Sequence, residues 1–345
     1  MLRTHLFLLV LFVLALSVPG SAASFEVSTV DGLRFEAGLA SQAIQPTKYL
    51  SLIFGAGQTQ VGGAEQDTKH FSEGVPYAFL PMPDGSVWVL DSINKALKRF
   101  SPDGKVMAEL NLGLVVPNGE CVIRDFALAP ADGFYFLSAS DWKNLHTDKD
   151  GKIVSEIEGV TDARSIGQDP KGNVLIEIPV MQALLRFNPA GEIVEKFDFP
   201  QSDLFEAAVY TDLDGNPFYV KGNESSLELG KFVAASPTEE LVLATFPLDL
   251  PPDRKAHYVS GKVLGVDAAR NIYVELIAVD DDGVIHRHRV CKVSPEGKVT
   301  AQSDIRVIPF QSPDLPRHAA VMPDGRILGF YLKDKSYVLC TWTIK

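Results

Sequence analysis

The chain has 345 residues, 46% of them apolar, with 44 acidic against 32 basic side chains and a net charge of −12. That balance excludes general nucleic-acid binding, which needs a basic surface to replace condensed counterions, and makes an anionic membrane face a poor partner. The apolar content suffices for a sizeable core, and the length allows one large domain or two ordinary ones.

Arg3 and His5 precede an unbroken apolar run from Leu6 to Leu16, and Pro19-Gly20-Ser21-Ala22-Ala23 follows. A basic start, a short apolar stretch and a small-residue site are the parts of a secretory signal peptide, expected over residues 1–23 with cleavage after Ala22 or Ala23. The alternative is an uncleaved anchor helix, but about 11 apolar residues fall short of the roughly 20 that span a bilayer. No cysteine lies near the site, which excludes a lipoprotein anchor. The expectation is a secreted or periplasmic protein with no membrane span after signal cleavage.

From Pro83 to Lys105 the chain reads turn, strand, loop, strand, turn, and degraded copies recur to the C-terminus. The first turns are Asp84-Gly85, Asp132-Gly133, Lys171-Gly172, Asp214-Gly215, Ala269-Arg270 and Asp324-Gly325, spaced about 39 to 55 residues apart. Each precedes a β-rich run: VWVLD, YFLSA, VLIEI, PFYVK, IYVEL and ILGFY. Period-2 alternation after a glycine turn is a strand and hairpin signature. Second turns are expected at SPDGK from Ser101, DKDGK from Asp148, NPAGE from Asn188, SPTEE from Ser236 and SPEGK from Ser294. Six such units predict an all-β fold, a six-bladed β-propeller of four-stranded antiparallel blades.

The sixth unit ends in SYVLCTWTIK and supplies only a third strand. A missing strand would leave an unpaired edge. The segment Tyr49–Phe54 is the natural donor, closing the last blade from the N-terminal side. The propeller then covers 49–345, and residues 24–48 form an extension with a hairpin turn expected at Asp31-Gly32.

Phe54-Gly55-Ala56-Gly57, then FSEGVPYAFLPMPDGSVWVLDSINKALKRFSPDGK, resembles one NHL repeat. The matching elements are Phe-Gly, a proline before the inner strand, Asp-Gly, Val-x-Val, Asp91-Ser92-x-Asn94, and an apolar-x-x-Phe strand ending in Asp-Gly-Lys. The units beginning near Asp162 and Ser260 match less fully, and the second, fourth and sixth lack Asp-Ser-x-Asn. The resemblance implies a six-bladed NHL-like or TolB-like ring and does not extend to one activity. Among rings of this type, gluconolactonase-like and regucalcin-like proteins hold a divalent ion with Glu, Asn and Asp at the channel mouth, and peptide-amidating lyases hold zinc with histidines. The equivalent positions here are largely basic or apolar. His70, His146, His257 and His318 lie on or near loops without a spacing that singles out three. No metal ligand is assigned.

In a propeller the inter-blade loops share one face with the loops between second and third strands. Counting back from each first turn places Tyr77, Asp125, Arg164, Ala207, Lys262 and Arg317 around the channel mouth, with Arg124, Glu206 and His318 beside them. Arg124, Arg164, Lys262 and Arg317 converging on one mouth would concentrate anions and hold carboxylate or phosphate through guanidinium forks. The other possibility is that these cations pair with Asp125, Asp162 and Glu206 at a solvated rim. Asp91, Asn94, Trp142, Asn223, Asp280 and Lys333 come from the remaining loops of that face. Two proline-rich links, 247–253 and 308–316, also belong to it.

Other features are excluded or assigned locally. Asp280-Asp281-Asp282-Gly283 is read as an acidic hairpin turn, since calcium loops alternate their ligands and close with a distant glutamate. His286 and His288 share one face of a strand, close enough for a shared ion, but a polar blade edge accounts for them better. Cys291 and Cys340 fall at equivalent positions of successive blades, roughly 15 Å apart, beyond the about 7 Å that a disulfide allows. Both are expected to be unpaired, as is Cys121. Asn223-Glu224-Ser225 is a glycosylation sequon, meaningful in a eukaryotic host alone. There is no Gly-x-Ser-x-Gly elbow, and Gly55-Ala56-Gly57 is not a dinucleotide fingerprint.

The expected function is a non-catalytic ligand-binding or protein-interaction module whose basic mouth engages an anionic small molecule or an acidic peptide of another protein, without a cofactor. The alternative is a metal-dependent hydrolase or lyase of the gluconolactonase-like or peptide-amidating-lyase-like type, which would need a divalent ion.

Overall fold

The six runs that follow the first turns are the second strands of six four-stranded antiparallel blades of a β-propeller, the fifth of which carries one additional short parallel strand. The structure, a computed structural model, describes residues 34–35, 43–63, 76, 78–115, 123–138, 143–160, 162–200, 205–223, 225–233, 236–248, 258–280, 284–305, 317–333 and 335–345. The segment 1–23, Asp31-Gly32, Tyr77, Cys121, Trp142, His70, His257 and most of both proline-rich links lie outside the described residues.

Blade 1 takes Ala78–Pro81, Val87–Asp91, Ala96–Phe100 and Val106–Asn111 from the channel outward. Blades 2 to 5 repeat that order from the inner strands Ile123–Leu128, Ser165–Gln168, Phe205–Thr211 and Tyr258–Val266. Blade 6 comprises Ala319–Val321, Arg326–Lys333 and Ser336–Thr343, and its outermost strand is Thr47–Ile53, paired antiparallel from Thr47 opposite Thr341 to Ile53 opposite Ser336. Neighbouring inner strands touch in cyclic order, with blade 6 meeting blade 1.

The second strands Val87–Asp91 of blade 1, Val174–Ile178 of blade 3 and Ile272–Val279 of blade 5 are buried along their whole length. Each is sandwiched between two neighbouring blades, so both faces exclude water and apolar runs replace strict alternation. The outermost strands keep exposed positions, as in Ile153–Glu158 of blade 2 and Ile193–Asp198 of blade 3.

Gly85, Gly172, Gly215 and Gly325 turn at φ between +81° and +91°, a region that a side chain disfavours. Arg270 takes the same turn position in blade 5 at φ +67°. The turn of blade 2 is built differently: Ala131 and Asp132 carry the positive φ, and Gly133 has φ −80°. Glycine serves close approach there, because a Cβ on Gly133 would collide with the Thr147 carbonyl.

Blades 3 to 5 stabilise this turn in one way. Asp169, Asp212 and Asp267 each accept from the backbone N–H and the side-chain amide of the asparagine four residues on, Asn173, Asn216 and Asn271. The turn expected at SPTEE is displaced. Strand Ser236–Pro247 already begins at Ser236, which pairs with Val233, so Ser236-Pro237-Thr238-Glu239-Glu240 belongs to the strand.

Arg34–Phe35, Ile44 and the C-terminal Lys345 attach to blade 5. Arg34–Phe35 pairs parallel with Val284–Ile285, and the Ile44 amide donates to the Asp304 carbonyl at 2.9 Å. The Gln302 amide donates to the Lys345 carbonyl at 3.2 Å.

Candidate functional site at the channel mouth

Glu177 and Glu275 occupy the same register position on the second strands of blades 3 and 5, opposite Ser165 and Lys262 on the inner strands. Here the second strands run out towards the inter-blade face, so these carboxylates reach the mouth from behind the inner ring. Ser165 Oγ donates to Glu177 Oε2 at 2.8 Å. Arg164 Nη1 lies 3.4 Å from Glu177 Oε1 and 3.5 Å from Glu206 Oε2, and Lys262 Nζ lies 4.0 Å from Glu206 Oε1. Arg164 is 42% exposed, Lys262 27%, Glu206 23% and Glu177 4%. Burial pushes the Glu177 carboxyl up to about 7, with Glu206 adding to the rise and Arg164, Ser165 and Lys262 opposing it.

Arg317 leaves the start of blade 6 and crosses the channel. Its Nε lies 2.8 Å from Asp125 Oδ1 of blade 2. Its Nη2 donates to the carbonyls of Phe126 at 2.8 Å and Ile166 of blade 3 at 2.6 Å. The guanidinium also sits 5.9 Å from the Phe126 ring centroid. Asp125 accepts from the Phe126 and Ile166 amides at 2.9 and 3.1 Å. Both side chains are buried. Burial raises the Asp125 carboxyl, and the Arg317 charge acts against that rise.

His318, next along the chain, joins a separate network. Glu275 Oε2 lies 2.8 Å from His318 Nε2, and its Oε1 lies 2.9 Å from His288 Nε2. Burial alone would raise the Glu275 carboxyl, but the two imidazoles hold it well below the usual carboxylate range. The carboxylate thereby ties two strands of blade 5 to the start of blade 6.

Between these networks lies a cavity of about 20 Å³, bounded by Ser165, Glu177, Glu206, Tyr210, Lys262 and Arg317. That is room for about one water molecule.

The expected residues therefore separate into two groups. Arg164 and Lys262 are at the mouth with Glu206, and Arg124 is partly exposed on the inner strand of blade 2. Asp125, Arg317 and His318 are buried in ion pairs, and Ala207 is buried. Tyr77 lies outside the described residues. Arg164 and Lys262 each face Glu206 and Arg317 faces Asp125, two of the three carboxylates named above as possible partners. Glu177 and Glu275 escape a search confined to inner strands and loops. Their signal is one glutamate at equal register inside the apolar runs VLIEI and IYVEL.

The supplementary loop residues act locally. Asp91 Oδ1 accepts from the Gly62 amide at 2.9 Å, Asn94 Nδ2 donates to the Gly55 carbonyl at 2.9 Å, and buried Lys98 donates to the Gln60 carbonyl at 2.8 Å while lying 3.3 Å from Asp91 Oδ2. The Asp-Ser-x-Asn element thus pins the loop that follows the strand Thr47–Ile53. Asp280 accepts from the Val284 amide at 2.9 Å and contacts His286 Nε2 at 2.7 Å, within its own hairpin. Asn223 accepts from the Ser225 and Ser226 amides. Cys291 and Cys340 are buried free thiols.

No protein-family model matches the chain, and no curated protein matches it in sequence. Solved structures do. Virginiamycin B lyase from Staphylococcus aureus is 12% identical, with a TM-score of 0.45, over 82% of this chain and 98% of that one. A structure of streptogramin B lyase is 13% identical, with a TM-score of 0.43, over 77% and 78%. The calcium-binding protein regucalcin from Agrobacterium tumefaciens is 12% identical, with a TM-score of 0.45, over 86% and 94%. The likeness is one of overall chain path, and no residue role is taken from it.

Proposed function

We propose that this chain is an exported, NHL-like, non-catalytic propeller that binds a ligand or a partner protein at the channel mouth. Arg164 and Lys262 receive an anionic group there, from a small molecule or from an acidic peptide segment. The observation that carries this reading is the setting of Arg164. It is the most exposed charged group of the network and is shared between two carboxylates at 3.4 and 3.5 Å. Arg317, held at 2.8 Å and buried, belongs to the scaffold instead. Export rests on the pattern of residues 1–23, and the NHL-like assignment on the unit containing Asp91-Ser92-x-Asn94.

A second reading, a metal-dependent hydrolase or lyase, draws on Glu177, a buried carboxyl shifted to about 7 as acid–base groups often are. Its metal donors would have to come from groups such as Glu275, His288 and His318. Glu275 contacts each histidine, Oε1 with His288 Nε2 at 2.9 Å and Oε2 with His318 Nε2 at 2.8 Å, so both imidazole nitrogens already face a carboxylate oxygen. No step through a metal is derived from them.

The test is retention of a panel of immobilised anions and acidic peptides by the native protein and by the double variant Arg164→Ala/Lys262→Ala. The double variant is expected to lose retention while still unfolding cooperatively at pH 6, where protonation of Glu177 removes the cost of its lost counterions. Equal retention by both proteins overturns the assignment. Elemental analysis of the purified protein addresses the second reading, which requires a stoichiometric divalent ion.

A further inference from the structure

We infer that the mouth takes up its anion together with one proton, and that Glu177 is the group that accepts the proton. This rests on the anion-binding reading and deepens it. Arg164 Nη1 is shared between Glu177 and Glu206, so an anion that takes this amino group displaces one or both carboxylates from it. The two respond differently. Glu206 is 23% exposed and can turn to water, whereas Glu177 is 4% exposed and cannot.

A buried carboxylate deprived of its counterion is strongly disfavoured, because nothing replaces the lost hydration. Protonation removes that penalty. Ser165 Oγ already donates to Glu177 Oε2, leaving Oε1, on the Arg164 side, as the oxygen to be protonated. The resulting O–H faces the position that the anion takes and can donate to it. The balance is simple: one proton leaves solvent and forms an O–H bond on Glu177, and no other bond forms or breaks.

The charged and titratable groups around Glu177 favour this exchange. Glu206 of blade 4 repels the ionised form, while Arg164 of blade 3 and Lys262 of blade 5 favour it, with burial the largest influence. Arg317 of blade 6 borders the same cavity but is engaged by Asp125. Withdrawing Arg164 to an anion removes one of the groups that keep Glu177 ionised, so binding and protonation reinforce each other. In acid Glu177 is already protonated and binding is insensitive to pH. In base each bound anion must bring a proton, so affinity falls about tenfold per pH unit.

Isothermal titration calorimetry tests this with sulfate and with a terminally blocked tetraglutamate peptide, probes whose charge is constant between pH 6 and 8.5. Titrations in two buffers of different ionisation enthalpy count the protons. For the native protein, about one proton is taken up per anion at pH 8.5 and a small fraction of one at pH 6, with affinity roughly tenfold weaker for each pH unit in the basic part of the range. Glu177→Gln is expected to bind at pH 8.5 as tightly as the native protein does at pH 6, with no proton uptake. Native binding at pH 8.5 without proton uptake overturns the inference and leaves the anion site standing, as does a Glu177→Gln variant that keeps the native pH dependence. Absence of binding by both proteins at pH 6 overturns the anion-binding reading, and this inference with it.

Discussion

Arg317 and Asp125 meet across the channel, Nε to Oδ1 at 2.8 Å, although they belong to blades 6 and 2. The same guanidinium reaches the Ile166 carbonyl of blade 3, the blade that faces blade 6 across a six-membered ring. A propeller closes through contacts between neighbouring blades, so one side chain that also binds across the ring resists opening of the disc.

Arg317→Ala is expected to destabilise the protein by about 3–5 kcal/mol, the usual cost of stranding one member of a buried ion pair. Arg317→Lys should recover little, since one ammonium cannot serve a carboxylate and two carbonyls in the guanidinium's planar geometry. Urea unfolding measures both. A loss below about 1 kcal/mol for Arg317→Ala would show that the bond across the channel is incidental.

The architecture could be read from the chain because its punctuation is chemical. Gly85, Gly172, Gly215 and Gly325 stand where the backbone needs positive φ, and a repeat of such turns can be counted without coordinates. The exceptions have reasons: Arg270 accepts the left-handed conformation itself, and in blade 2 that role passes to Ala131 and Asp132. Arg164 and Lys262, singled out by the same register, share Glu206 as a neighbour. What the register could not supply is the partner of each charge. Arg317 and Asp125 are 192 residues apart along the chain, and their pairing depends on side-chain reach across the ring. Glu177 and Glu275 were hidden because an isolated glutamate in a strand reads as an exposed position until both faces of that strand prove buried.

Asn94 and Asp91 should matter for closure more than for binding. Asn94→Ala removes the hydrogen bonds to the Gly55 carbonyl and to Asp91 Oδ2, at a cost of roughly 1–2 kcal/mol. The loosened element is the loop at 55–62 together with the adjoining strand Thr47–Ile53. Faster amide exchange at residues 47–62, with the inner strands of blades 3 and 4 unchanged, is the expected pattern. Uniformly faster exchange across all blades would show that the loop is not a local latch.

Glu275 ties acid stability to His288 and His318. Its folded-state carboxyl is held below the ordinary range, so its contribution is present above the unfolded value of about 4.3 and is lost as pH falls through the lower folded value. The native protein should therefore lose stability steeply below about pH 4, and Glu275→Gln should flatten that part of the profile while lowering stability at pH 7 by roughly 1–3 kcal/mol. Denaturation midpoints between pH 2.5 and 7 check both parts. An unchanged acid slope in Glu275→Gln would assign acid lability to other carboxylates.

Glu177 has the opposite sign. Its folded-state value is raised to about 7, so the folded protein binds this proton more tightly than the unfolded chain does. Stability then falls as pH rises from the unfolded value of about 4.3 through 7, and levels off above it. Removing the charge should remove that penalty. Glu177→Gln, which keeps the carbonyl that accepts from Ser165, is expected to be more stable than the native protein at pH 8, by at most about 3 kcal/mol given the coupling to Glu206. At pH 4.5, where the native carboxyl is already protonated, the two proteins should unfold alike. A variant less stable than the native protein at pH 8 would mean that Glu177 is held as a carboxylate whose pairing with Arg164 outweighs its burial, and that the mouth is a structural ion-pair network.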